Sequence, residues 1–384
     1  MDLSGYTDYL PAPGESVAVA MSGGVDSSVA ACLLAERGCR VIGLTLKMFC
    51  YSEGDPGERS CCNLESIADA RAVCDTIGAA HYVIESTGPF RERVIEPFVE
   101  DYLAGRTPNP CVSCNTFIKF PHALARARAL GAGRLATGHY ARLLAPETTE
   151  AGAQEVFLAR GLDPAKDQSY FLWGLNRGDL KHYTFPVGAL DKATVRQIAG
   201  RLGLTVSQKK ESQEVCFLGQ GSLEEFIRQQ AGSREGAAAT VPGPLLDESG
   251  RRIGTHRGAA FYTLGQRRGV GAAVGEPAYV IAVDTASNTV VVGGQERLMS
   301  AVFLVARVNY LVPAPESGFE AWIKVRHRHK PVHGKVVPLE GKRARVVLDT
   351  PQRAVTPGQS AVFYSDSVVL GGGVIDSLEI PGPA

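Results

Sequence analysis

The chain has 384 residues, 45% hydrophobic and 21% charged, a composition that suits two or three globular domains with buried cores. No apolar run approaches the ~18 residues of a bilayer span, and residues 1–11 lack the basic and apolar regions of a secretory signal, so no membrane partner and a cytoplasmic location are expected. Net charge is zero, yet residues 251–384 carry 16 Lys+Arg against 10 Asp+Glu and residues 1–250 carry 24 against 30. The back is thus mildly basic, as a polyanion partner would want, although so small an imbalance also arises by chance.

In chain order, residues 16–21 read as a buried strand. A short glycine loop follows, then a helix through Val29, Cys32, Leu33, Leu34 and Glu36 that stops at Gly38. Residues 41–48 read as a strand, 64–77 as an amphipathic helix and 81–85 as another strand. A later helix over 119–130 leads into a strand over 135–139. This alternation predicts a parallel sheet with crossover helices. A further helix is expected over 194–202. Beyond about residue 204 the texture changes: one helix at 222–230, then short strands at 278–283, 289–292, 301–308, 321–326, 343–348 and 359–364 between Gly and Pro turns. Residues 232–239 read as a mobile loop. The expected organisation is an α/β, Rossmann-like domain over 1–205, a small β-rich linking domain over 206–285 and a C-terminal β-barrel over 286–384.

The loop Ser22-Gly23-Gly24-Val25-Asp26-Ser27-Ser28 joins the first strand to the first helix. Its glycines allow a tight turn that brings backbone N–H groups to an anion. The helix N-terminus adds unsatisfied donors and its dipole, and Ser22, Ser27 and Ser28 add hydroxyls. Asp26 suits either a helix cap or a Mg2+ ligand. A Walker A loop needs a lysine here and none is present, so transfer of a terminal phosphate is not what this loop is built for. The bland reading is a Gly-rich turn with a Ser/Asp cap. The segment resembles the pyrophosphate loop of the ATP pyrophosphatase superfamily, whose members split ATP into AMP and pyrophosphate and place AMP on a carbonyl-type oxygen.

Nine cysteines, Cys32, Cys39, Cys50, Cys61, Cys62, Cys74, Cys111, Cys114 and Cys216, all lie in the first 216 residues. An odd number argues against a disulfide framework, and the clustering suggests thiol chemistry or metal binding. Cys32, Cys39, Cys50 and Cys74 read as packing residues, and Cys61-Cys62 is left without a role. Asn109-Pro110-Cys111-Val112-Ser113-Cys114-Asn115 holds a C-x-x-C, and Cys216 sits in Glu211-Ser212-Gln213-Glu214-Val215-Cys216-Phe217. Such a pair beside an α/β pattern is redox-active, a metal site or both. Zinc would want a fourth ligand, which Cys61 or Cys62 would have to supply.

Together these segments resemble the tRNA-specific 2-thiouridylases of the MnmA family. The likeness continues at Thr137-Gly138-His139-Tyr140-Ala141, Lys166-Asp167-Gln168-Ser169-Tyr170-Phe171, Tyr262-Thr263-Leu264-Gly265-Gln266-Arg267-Arg268-Gly269 and Pro357-Gly358-Gln359, in order along nearly the whole chain. It implies an ATP pyrophosphatase that adenylates the C2 oxygen of a tRNA wobble uridine and replaces it with sulfur. ATP, with Mg2+, would bind Ala20, Met21, Ser22, Gly23, Gly24, Val25, Asp26 and Ser27, with Leu46 and Gly138 on the adenine or ribose side. Asn109, Pro110 and Cys111 would meet the flipped-out base. Cys114 would be the nucleophile and Cys216 the persulfide carrier, charged by a sulfur donor such as a cysteine desulfurase or relay protein. His139, Lys166, Asp167, Gln168, Arg326, His327 and Gln359 fall at tRNA-contact positions.

Some family members carry Asp where this chain has Cys111, which leaves that acid/base role vacant or differently filled. The thiols of Cys111, Cys114 and Cys216 would instead suit a [4Fe-4S] cluster with one open iron. Relay and cluster both stay open. So do an amide-forming ATP pyrophosphatase, which would have no use for the three cysteines, and a non-catalytic tRNA-binding or cluster-carrying protein. His139 alone reads as a core or loop histidine. The run Arg326-His327-Arg328-His329-Lys330 is by default a solvated face, which Arg267-Arg268 and Lys342-Arg343 tilt toward phosphate contact.

Overall fold

The computed structural model describes residues 5–49, 64–147, 155–209, 215–219, 221–270 and 278–378. Cys50, Cys61, Cys62 and residues 211–214 lie outside the described residues.

The strand Ser16–Ala20 is an unbroken run of small and apolar residues, as a parallel strand covered on both faces must be. It lies at the centre of a five-stranded parallel sheet in the order Ala80–Glu85, Arg40–Lys47, Ser16–Ala20, Arg134–Thr137, Tyr183–Thr184. Side-chain alternation splits its burial. Val17 and Val19 pack with Val29, Cys32, Ala70, Val73, Val195 and Ala199 from the helices Val25–Glu36, Leu64–Thr76 and Lys192–Arg201. Ala18 packs on the other face with Phe120, Ala123 and Leu124 of the helix Phe120–Ala129. From the central strand the chain first winds out to Ala80–Glu85, then returns to the opposite side at Arg134–Thr137. That reversal opens a crevice at the carboxyl ends of Ser16–Ala20 and Arg134–Thr137, where open parallel sheets bind ligands.

The second unit begins with Ser222, which caps the helix Leu223–Ala231 in a reciprocal box with Glu225. Phe226 of this helix lies 6.4 Å from Phe98 of Glu96–Leu103 in the first domain. A four-stranded sheet follows, ordered Arg252–His256, Gly243–Leu246, Thr289–Gly293, Tyr279–Asp284. The hairpin joining the last two strands keeps the unit going to Gly293, and the barrel starts at Met299. The mobile loop expected over 232–239 is instead packed: Gly236 lies against Leu103, and Ala239 is fully buried in a turn of 3-10 helix.

In the third unit, Met299–Tyr310, Arg343–Arg353, Val332–Leu339, Phe319–Lys324, Ser360–Ser365 and Val368–Leu378 pair in that order. The last strand returns to the first, so the barrel is closed. Closure removes both exposed edges. The sheet also runs on into the first domain: Ala159 of Phe157–Arg160 pairs with Val368, and Ala141–Pro146 and Tyr6–Asp8 follow. Beside this seam Tyr170 Oη donates to the Ser360 carbonyl at 2.9 Å and Trp173 Nε1 to Ser360 Oγ at 3.0 Å. Asn309 Nδ2 donates to the carbonyls of Trp173 and Leu175. No helix among the described residues is long and apolar enough to cross a membrane.

Candidate active site

The glycine loop sits at the mouth of the crevice. Its conformation is enforced from both sides. Gly23 has φ +66°, and a Cβ there would lie 2.3 Å from the Ser66 carbonyl oxygen. Gly138 follows the strand that pairs Thr137 with Ala20, and a Cβ on it would lie 2.5 Å from the Ser27 nitrogen. The serines brace the turn. Ser22 N–H donates to Ser27 Oγ at 3.1 Å, and Ser27 and Ser28 hydroxyls donate to the Gly24 carbonyl at 3.2 and 2.9 Å. Ser22 is exposed, while Ser27 and Ser28 are buried. The hydroxyls of Ser27 and Ser28 thus hold the turn together, and the Ser22 hydroxyl pairs with that of Ser27 at 3.2 Å.

Asp26 does not cap the helix, whose N-cap is Gly24 without a side-chain cap bond. Both its oxygens accept from Lys192 Nζ, at 2.7 and 2.9 Å, and Oδ1 also accepts from Tyr140 Oη at 2.8 Å. Asp26 is thus held by two donors from outside the loop. Leu46 is buried near the end of Arg40–Lys47, the strand next to the loop's own.

Pro110 opens a short helix, Pro110–Ser113, that continues through a π-helical turn at Cys114–Lys119 into Phe120–Ala129. The wide turn has a cause in sequence. Phe120 N–H bonds back five residues to the Asn115 carbonyl, and the next residue, Pro121, has no N–H and a ring that crowds the carbonyl four residues before it. Cys114 starts the wide turn. It is buried, with Sγ 3.7 Å from Met48 Sδ, and Met48 directly follows Arg40–Lys47. The thiol therefore lies at the same carboxyl edge of the sheet as the glycine loop. Cys111, one turn earlier, is exposed.

Cys216 is half-buried and packs on the hydrophobic cluster that contains Cys114. An aromatic chain links the two regions. Phe49 meets Phe90 at 5.9 Å, Phe90 meets Phe217 at 5.9 Å, and Phe217 meets Phe98 at 5.1 Å. The structure thus draws Cys114 and Cys216 onto one core, although 102 residues separate them. Among the described residues no three Cys, His, Asp or Glu side chains stand where they could hold a single metal ion. Cys32, Cys39 and Cys74 are buried, as packing residues should be.

Comparison with known proteins fits this geometry. Residues 15–220 match the tRNA methyl transferase HUP domain family model, 224–294 the tRNA methyl transferase PRC-barrel domain and 300–375 the aminomethyltransferase beta-barrel domain. The chain is 45% identical over 363 residues to the tRNA-specific 2-thiouridylase MnmA of Magnetococcus marinus, covering 94% of this chain and 99% of that one. It is 44% identical to the MnmA proteins of Geotalea uraniireducens and Geobacter metallireducens, covering 94% and 95% of this chain and 94% and 98% of theirs. The chain belongs to the MnmA family.

The positions that MnmA resemblance marks for tRNA contact are, in this structure, largely turned inward. Asp167 is buried and accepts from the Gly161 and Ser169 N–H groups at 3.1 and 3.0 Å. Gln168 Oε1 accepts from Tyr140 N–H at 2.9 Å. His139 bonds Thr137 Oγ1 through Nδ1 at 2.7 Å and packs between Phe120 and Phe185, and burial holds its pKa well below the usual range. Arg326 donates to the Leu264 carbonyl and Thr356 Oγ1 across the middle and barrel units. His327 packs on Phe171 at 4.5 Å. Gln359 Nε2 donates to the Thr107 carbonyl at 2.8 Å. Lys166 is half-exposed.

Around Thr107 all three units meet. Thr107 N–H donates to the Pro357 carbonyl at 2.9 Å, its hydroxyl pairs with that of Thr263 at 3.1 Å, and Arg106 reaches Asp376 and the Ile375 carbonyl. Asn109 and Pro110 come next in the chain, then Cys111 and Cys114. Sequence reasoning gave no role to Thr107, Tyr140 or Lys192. The one available signal was the lysine opening the helix after the Asp191 cap, a cation at the positive end of a helix dipole.

Proposed function

We propose that this MnmA-family enzyme uses ATP to thiolate C2 of the wobble uridine of tRNA, with sulfur carried on Cys216 and released by Cys114. ATP-dependent tRNA thiolation is the activity of the family to which the chain belongs. The finer steps are our reading. The observation that carries them is the shared edge: glycine loop, Gly138 and Cys114 at the carboxyl ends of adjacent strands, with Cys216 on the same core.

The uracil C2 oxygen is a poor leaving group. Its attack on the α-phosphorus forms the C2–O–AMP bond and breaks the bond to pyrophosphate, which departs. Cys114 thiolate then attacks the inner sulfur of a Cys216 persulfide. A Cys114–Cys216 disulfide forms and hydrosulfide leaves, and the hydrosulfide adds to C2 and expels AMP. Two electrons from a thiol reductant restore the pair, and a sulfur donor recharges Cys216. Nucleotide loop and thiols must converge on one base, so the base has to leave its stack, and Asn109, Pro110 and Cys111 at the helix start are the surface proposed to receive it. Mg2+ is proposed as the ion accompanying ATP. The proposed tRNA role of His139, Asp167, Gln168, Arg326, His327 and Gln359 is to shape the contact surface from beneath.

The test uses protein purified without air and divided in two, one portion stripped of iron and one reconstituted with iron and sulfide. Each receives unmodified tRNA, ATP, Mg2+ and a sulfur donor, and 2-thiouridine is quantified after nuclease digestion. Product from the iron-free portion, abolished by Cys114→Ser and by Cys216→Ser, is expected. Product from the iron-loaded portion alone would move the three cysteines from relay to cluster ligands.

A further inference from the structure

We propose that Lys192 is a pyrophosphate-binding residue of this active site, supplied from outside the loop. The loop from Ser22 to Ser28 has no cation of its own and contains one anion, Asp26. Backbone N–H groups and hydroxyls alone would have to hold a strongly anionic triphosphate beside a carboxylate. Lys192 removes that conflict. Its Nζ sits 2.7 Å from Asp26 Oδ1, over the first turn of the helix that follows the loop, with the side chain 11% exposed.

The arm that brings it there is firmly placed. Lys192 N–H donates to Asp163 Oδ2 at 3.1 Å, and Asp191 caps the helix by accepting from Thr194 N–H at 2.7 Å. Tyr140 supports the same carboxylate, its ring centroid 5.6 Å from the ammonium. A lysine is a point charge on a flexible four-carbon stem. When ATP enters, the ammonium can swing from Asp26 to the β- and γ-phosphate oxygens while Tyr140 keeps Asp26 hydrogen-bonded. As the α-phosphorus bonds to the uracil oxygen and its bond to pyrophosphate breaks, Lys192 offsets the charge that builds on the departing pyrophosphate.

The inference rests on the reading of the loop as the ATP site, and the experiment separates the two. Wild-type protein, Lys192→Gln and Lys192→Arg are titrated with ATP, pyrophosphate and AMP by calorimetry, with folding checked by circular dichroism. Lys192→Gln should lose roughly ten- to a hundredfold in affinity for ATP and pyrophosphate and keep its affinity for AMP, and Lys192→Arg should recover most of the loss. The Lys192→Gln loss for pyrophosphate should persist in an Asp26→Asn background. Equal losses for AMP and pyrophosphate, no loss for pyrophosphate, or a loss that vanishes with Asp26→Asn would make Lys192 merely the structural partner of Asp26 and overturn the proposal. Should Lys192→Gln not fold, Lys192→Met carries the same comparison. Wild-type protein that binds neither ATP nor pyrophosphate would instead overturn the reading of the loop.

Discussion

Gly138 faces the Asp26–Ser27 peptide so closely that even one methyl group has no room, since the atoms it would strike are backbone. Gly138→Ala should therefore push the loop off the carboxyl end of its strand. An overpacked contact of this kind costs about 1–3 kcal/mol, here expected mainly as a loss of ATP affinity of about tenfold or more. Calorimetric titration with ATP, alongside an unchanged far-ultraviolet spectrum, checks it; unaltered affinity would mean the loop yields freely. The tight turn itself was legible in sequence, because its glycines are contiguous between a strand and a helix; the bracing by Ser27 and Ser28 and the pairing of Asp26 were not. Lys192 and Tyr140 were not legible, because they join the loop across 166 and 114 residues and neither belongs to a local pattern that announces an anion.

Two helices widen into a π-turn one residue before a proline. Glu96 N–H bonds back to Arg91 before Pro97, as Phe120 N–H bonds to Asn115 before Pro121. The second turn sets the direction in which Cys114 leaves its helix. Pro121→Ala restores a donor and removes the crowding ring, so the turn is expected to tighten to α geometry and rotate Cys114 away from Met48. Thiolation should fall several-fold while ATP affinity holds, measured as 2-thiouridine formed against pyrophosphate bound; parallel loss of both would place the defect in folding instead. Just upstream of this turn, the Thr107 backbone lies against Gly358, which has φ +92°, so Gly358→Ala should open the junction of the three units. Faster proteolytic cleavage at Arg106 is the expected sign, and an unchanged cleavage rate would mean the junction holds without close contact there. Periodicity revealed the helices Val25–Glu36, Leu64–Thr76, Phe120–Ala129, Lys192–Arg201 and Leu223–Ala231 and four of the six barrel strands, but not the helix Glu96–Leu103 or the strand Val332–Leu339. The strand Val368–Leu378 escaped because it contains Gly371, Gly372 and Gly373, which read as a turn. They are glycines for packing: a Cβ on Gly371 would meet the Asn309 carbonyl at 2.3 Å, and one on Gly372 would meet the Trp173 ring at 2.9 Å.

Across the whole molecule the same inward turning of polar groups sets a pH response. His81 and His139 in the first unit, His256 in the second, and His327 and His329 in the barrel all have pKa values held below the usual range, chiefly by burial. Lys119 adds to the effect at His139, and Arg326, Arg353 and Lys324 add to it at His329. Each imidazole is thus neutral when folded and takes up a proton on unfolding once the pH drops below about 6.5. The unfolded chain then binds more protons than the folded one, so stability rises with pH across that range. The contribution is complete above about pH 6.5 and is lost progressively as the pH falls below it. Asp8 and Asp101 act in the opposite sense, because burial raises their pKa, but their effect belongs near pH 4 and below the histidine range. Since the first unit and the barrel share one continuous sheet, the loss should appear as a shift of a common transition rather than the melting of one unit. Thermal unfolding at pH 7.5, 6.5 and 5.5 should give falling midpoints, with His139→Gln flattening the slope. A midpoint that holds or rises on acidification would show that these histidines are protonated in the folded state.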